Sequence, residues 1–99
     1  FLAEKGHSAE EVEKMHAEGV SAIVGGFASP ICLAASQAAS RYDIAYAVDV
    51  GVSDQIVSRG LKNTFRFGPG FGAVTRAAIE NLVKLNDAAG KPAKTVVLV

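Results

Sequence analysis

Val20-Ser21-Ala22-Ile23-Val24-Gly25-Gly26-Phe27-Ala28-Ser29-Pro30 is the stretch on which the fold turns. Its first five residues are β-branched or small and almost wholly apolar, which suits a strand covered on both faces. Two glycines then break the pattern. Ser29 followed by Pro30 is a capping residue followed by the residue best suited to a first helical position. Upstream, Ser8-Ala9-Glu10-Glu11 has the spacing of a capping box and predicts a helix over residues 9–18 that Gly19 ends. Downstream, the pattern predicts a helix over 30–41, a strand over 43–48, and a short helix over 54–59 that Ser53 caps and Gly60 ends. A brief strand over 64–67 and a glycine-rich connector over 68–72 come next. A long helix over 73–88 carries Val74, Ala78, Leu82 and Leu85 along one stripe, and a last strand starts at Lys94. Helices and short apolar strands alternate throughout. The expected fold class is therefore α/β, a partial doubly wound parallel sheet with helices on both faces, in which strands 20–24 and 44–48 pair in parallel across the 30–41 helix.

Composition narrows the function classes. The chain has 99 residues, room for one small domain, and 49% of them are hydrophobic, enough to bury a core. Ten basic residues balance ten acidic ones without a run of like sign, so no nucleic-acid or membrane surface is advertised. Every apolar stretch is interrupted well before the roughly 18 residues that span a bilayer. The opening at Phe1, with no secretion signal in view, and the strand-like close on Thr95-Val96-Val97-Leu98-Val99 read as a piece of a longer protein. Cys32 is the sole cysteine, so no internal disulfide forms.

In an open α/β sheet, ligands bind beyond the carboxyl ends of the strands. Two loops qualify: Gly26-Phe27-Ala28-Ser29 and Asp49-Val50-Gly51-Val52-Ser53, each opening a predicted helix. Two helix N-termini facing one crevice would cradle a carboxylate without a charged side chain. From spacing alone, Ser29 and Ser53 read equally as ordinary caps, worth about 1 kcal/mol each. Asp49 reads either as the partner of a ligand ammonium group or as a cap on its own turn.

Four segments resemble, in order, the landmarks of the periplasmic substrate-binding proteins of ABC transporters, of the branched-chain amino-acid binding type. They are Gly19-Val20-Ser21-Ala22-Ile23-Val24-Gly25-Gly26, Leu33-Ala34-Ala35-Ser36-Gln37, Ser58-Arg59-Gly60 and Phe65-Arg66, and the similarity runs over residues 19–99. The resemblance implies a type I periplasmic binding fold of two lobes with ligand clamped between them. Residues 1–67 would form part of lobe one, 68–72 a hinge, and 73–99 the start of lobe two. It implies a non-catalytic periplasmic protein that takes a small carboxylate, such as a branched-chain amino acid or aromatic acid, to a membrane permease, with no cofactor, metal or nucleic acid. Ser29 falls where the family contacts the ligand carboxylate, flanked by Phe27 and Ala28, and Val50, Gly51 and Val52 fall in the loop that shares the task. Val52 stands where many members have a hydroxyl residue, so the ligand's amino group is left open. The open edge at strand 20–24 and the unsupported strand at 95–99 predict self-association, with 68–72 as a flexible route for domain exchange.

The rival class is a nucleotide- or dinucleotide-binding enzyme domain. Gly68-Pro69-Gly70-Phe71-Gly72-Ala73 fits G-x-G-x-x-A between a strand and a helix. Pro69 removes one N–H that a pyrophosphate would use, and no acidic residue ends the next strand. Cys32, in a first helical turn, would have a lowered pKa but lacks a positioned base, and it reads better as a small buried residue. His7 and His16 are not spaced as a metal pair, and His16 reads as a boundary residue. Arg66, alternating with Phe65 and Phe67, reads as a partner for a carboxylate near the connector or as an exposed strand residue.

Overall fold

The computed structural model describes residues 5–99, with side chains from Ser8 onward; the first four residues of the predicted lobe and the His7 side chain lie outside the described ones. The elements are α1 (Lys5–Ala17), β1 (Ala22–Val24), α2 (Ser29–Arg41), β2 (Ala45–Val48), α3 (Gln55–Ser58), β3 (Thr64–Arg66) and α4 (Phe71–Ala88). The three strands form one parallel sheet in the order β1-β2-β3. Ile23 pairs with Tyr46 and Tyr46 with Thr64, while Val24 pairs with Ala47 and Ala47 with Phe65. The mixed α/β class and the parallel pairing of the first two strands agree with the sequence pattern.

Side chains alternate across a strand, so the register sorts them into two faces. Ile23, Tyr46, Val48 and Thr64 point to the side that carries the helices, and Tyr46 and Val48 are fully buried there. The core is completed by Val12 of α1, by Cys32, Ala35, Ala38 and Ala39 of α2, and by Ile44 and Ile56. The small residues of α2 let α1 approach closely. Gly19, at φ +84°, stops α1, and the Val20 N–H donates back to the Met15 carbonyl at 3.0 Å. His16 stacks on Tyr42 with ring centroids 4.3 Å apart, so this boundary residue ties α1 to the end of α2.

The other face of the sheet is bare. Val24 is 72% exposed and Phe65 58%, and no helix lies over Ala22, Ala45 or Ala47. Among the described residues, the expected helices on both faces are thus present on one only. The element that could have covered the second face, α4, has no buried residue.

Several boundaries move, each for a local reason. α1 begins by Lys5, which puts Ser8 inside the helix as a buried residue and not at its cap. Asp43 takes a left-handed φ of 54° and the Ile44 N–H donates to the Ala39 carbonyl, so β2 starts at Ala45, two residues late. α4 starts at Phe71, two residues before the predicted Ala73. No strand forms after Lys94; the two Asn86 side-chain bonds to the Ala93 backbone instead fold the tail back beside α4.

Candidate functional site

The two strand-end loops meet beyond the carboxyl ends of β1 and β2. The Gly51 N–H donates to the Gly26 carbonyl at 3.0 Å, and the Ser53 N–H donates to Ser29 Oγ at 3.1 Å. These bonds form a seam that fixes one loop against the other. Beneath it lie Cys32 and Tyr46, both fully buried. A β-carbon at Gly26, whose φ is +114°, would run into Cys32 Sγ and the Tyr46 hydroxyl; one at Gly51 would meet Cys32 Sγ at 2.7 Å and Ile56 at 3.0 Å. Glycine is therefore required on both sides of the seam, and Cys32 is the plug between them.

Neither serine caps a helix as expected. Ala28 is the cap residue of α2 and Asp54 that of α3, each without a side-chain bond. Ser29 instead spends one lone pair on the opposite loop. A serine hydroxyl that accepts still has its own hydrogen to donate, so Ser29 keeps a donor for a ligand. α3 is a single turn of four residues, too short for a useful dipole, so the cradle has one helix N-terminus and not two. The first bond of α2 runs from the Cys32 N–H to the Ala28 carbonyl, which leaves the Ser29 and Ile31 N–H groups without a partner among the described residues.

The six predicted site residues divide. Phe27, Ala28 and Val50 line a cleft of about 580 Å³ together with Met15, Ile31 and Tyr46. Ser29, Gly51 and Val52 lie at the seam outside that lining. Asp49 is the charged residue of the cleft wall, and its Oδ1 accepts from the Val50 N–H at 2.8 Å, which fixes the turn. Burial pushes the Cys32 thiol above its ordinary range, opposite to the shift that its place in a helical first turn suggests. The Tyr46 phenol is raised too, first by burial and then by Cys32, and its hydroxyl has no hydrogen-bond partner of good geometry among the described residues. Both groups are neutral packing at the floor of the site.

A second constellation lies at the connector. Arg66 donates to the carbonyls of Gly68 (3.2 Å), Val52 (3.3 Å) and Ser53 (2.9 Å) and pairs with Asp54 Oδ1 at 3.2 Å. The Phe71 N–H donates to the Val52 carbonyl and the Gly72 N–H to Asp54 Oδ2. The Gly72 N–H bond, then Arg66, holds the Asp54 carboxyl below its ordinary pKa. Residues 68–72 are thus bonded to the body at Gly68, and the start of α4 at Phe71 and Gly72. Gly70 is buried, and a β-carbon there would collide with Asp54 Oδ1 and Arg66. The Gly72 N–H that a phosphate-binding turn would offer is spent on a carboxylate.

Sequence reasoning did not single out Asp54, Tyr46 or the role of Arg59. Arg59 donates to the Leu33 carbonyl at 3.1 Å, to Ser36 Oγ at 2.6 Å and to Gln37 Oε1 at 3.5 Å, clamping the α3 end onto α2. Residues around Ser36-Gln37 and Arg59, more than 20 positions apart, are thereby brought into contact. That pairing of an arginine with a buried serine was the available signal.

These elements define a mixed α/β unit with a small three-stranded parallel sheet and a stitched pair of strand-end loops beside an apolar cleft. No protein-family model matches this chain, and no curated protein matches it.

Proposed function

We propose that this chain carries the carboxylate-binding half of an extracytoplasmic solute-binding protein, of the type I periplasmic fold, that hands a small acid to the permease of an ABC transporter. The observation that supports it most is the seam between the loops 26–29 and 49–53 at the ends of two adjacent parallel strands. A ligand carboxylate would take the Ser29 hydroxyl hydrogen and the unpartnered N–H groups of Ser29 and Ile31. The apolar body of the ligand would lie in the cleft against Phe27, Ile31 and Val50. In an α-amino acid, the ammonium group would reach Asp49 Oδ2, while an aromatic acid would leave it solvated.

A cradle open on one side holds such a ligand at about millimolar affinity, roughly −4 kcal/mol. Thermal-shift measurement of the chain with leucine-like amino acids, aromatic acids and nucleotides separates this reading from the dinucleotide-binding one. Stabilisation by the acids alone is expected; a response to nucleotides alone would overturn it. Ser29→Ala should weaken carboxylate binding by about 1.5–3 kcal/mol, the range for a hydrogen bond to a charged group. Unchanged affinity in a folded Ser29→Ala chain would reduce Ser29 to a loop latch.

A further inference from the structure

We propose that Arg66, a residue outside the cradle, positions it, acting through the Val52–Ser53 peptide to hold the Ser29 hydroxyl ready for a carboxylate. The role rests on the carboxylate reading above and adds a positioning residue to it.

In a trans peptide the C=O and the N–H point in opposite directions. The Val52–Ser53 peptide uses both. On one side its carbonyl accepts from the Phe71 N–H at 2.8 Å and from Arg66 Nη1 at 3.3 Å, which occupies both lone pairs. On the other its N–H donates to Ser29 Oγ at 3.1 Å. Arg66 Nη1 also reaches the next carbonyl, that of Ser53, at 2.9 Å. Both peptides that flank Ser53 are therefore held by one side chain of β3, and the first cannot turn without breaking bonds at both of its ends.

The guanidinium is itself fixed. Asp54 Oδ1 accepts from Nη2 at 3.2 Å and the Gly68 carbonyl from Nε at 3.2 Å, and the side chain is only 10% exposed. A cation on a carbonyl polarises the peptide and makes its N–H a stronger donor. Ser29 Oγ, which accepts that N–H, has its own hydrogen directed away from Ser53 and strengthened as a donor in turn. An anionic acceptor gains most from such a chain.

The neighbouring stitch, from the Gly51 N–H to the Gly26 carbonyl, joins the same two loops through backbone alone. It serves as an internal control. A residue that merely stiffened the loop would govern both stitches, whereas a positioning residue governs the one at Ser53.

Two variants release the hold in different ways. Arg66→Met keeps an apolar stem and deletes every donor. Phe71→Pro deletes only the N–H that shares the Val52 carbonyl. Phe71 is the first residue of α4, where proline is favoured, and its ring is 59% exposed. Gly70 before it, at φ −80° and ψ 168°, has the extended backbone that a following proline requires. Circular dichroism checks folding, and Phe71→Pro carries the test if Arg66→Met does not fold.

Amide titration with a branched-chain amino acid or an aromatic acid should show affinity lowered about three- to tenfold in Arg66→Met and about two- to threefold in Phe71→Pro, a net hydrogen bond or less. In the free chain, Ser53 amide exchange should quicken while Gly51 keeps its protection. In a Ser29→Ala background either substitution should change affinity by less than about twofold, because the group they act through is gone. A parent chain that binds the acid while both variants bind it equally well would overturn the role and leave the carboxylate reading standing; a parent chain that binds no acid would overturn both. Ser53 and Gly51 amides that open together, or an equal loss of affinity without Ser29, would overturn the role as well, since Arg66 would then tie the loop as a whole.

Discussion

Residues 8–67 and residues 71–99 are equally apolar in appearance, yet the first region buries nine hydrophobic side chains and the second buries none. α2 and α4 both carry an apolar stripe at helical spacing. What separates them is tertiary: α2 is sandwiched by α1, β2 and α3, while α4 touches the body only through its first residues. Local sequence therefore specifies that α4 is a helix without specifying what it packs on. The Asp87–Lys91 pair at 3.8 Å is exposed and adds little to the helix.

The sharpest way to break this contrast is to cut into both regions equally. Ile44→Ala, at a buried core position, should cost about 2–5 kcal/mol in denaturant unfolding, whereas Leu82→Ala, on a helix with no buried residue, should stay within about 0.5 kcal/mol. Equal losses would mean that α4 is packed on its own sheet.

A smaller effect is expected at the joint between the regions. Arg66→Ala removes four hydrogen bonds from a largely buried guanidinium and should cost about 1–3 kcal/mol. Hydrogen exchange would locate the loss: the Phe71 and Gly72 amides should open while Tyr46 and Val48 keep their protection. Acid should do the same more gently. The Asp54 carboxyl has a lowered pKa when folded, so its contribution is fully present above its unfolded pKa and is lost as pH falls through the folded value. Gly72 amide exchange that is flat through that acid range would show that Asp54 does not hold the joint.

The sequence made the parallel β1–β2 unit and its loops legible because Gly25-Gly26 and Ser29-Pro30 are strong local punctuation. It did not carry features that depend on distant partners. Ser29 reads as a cap, yet its oxygen is claimed by Ser53, 24 residues away. The 68–72 segment reads as a glycine-rich connector by composition, and its contacts with Asp54 and Arg66 come from residues far from it in the sequence. Cys32 reads as a small buried residue and is one, although the two glycines that close over it are not evident from its helix position. The tail reads as a strand because valine and leucine favour one, but no strand lies beside it to supply hydrogen bonds.

The functional account stands on the seam between the two loops, and a backbone amide NMR titration addresses it residue by residue. Adding a branched-chain amino acid or an aromatic acid should shift the amides of Ser29, Ile31, Gly51 and Val52 in a saturable way near the millimolar range, about −4 kcal/mol, with the matching amine that lacks a carboxylate leaving them in place. Shifts confined to residues 68–72, or equal shifts from acid and amine, would contradict the carboxylate cradle.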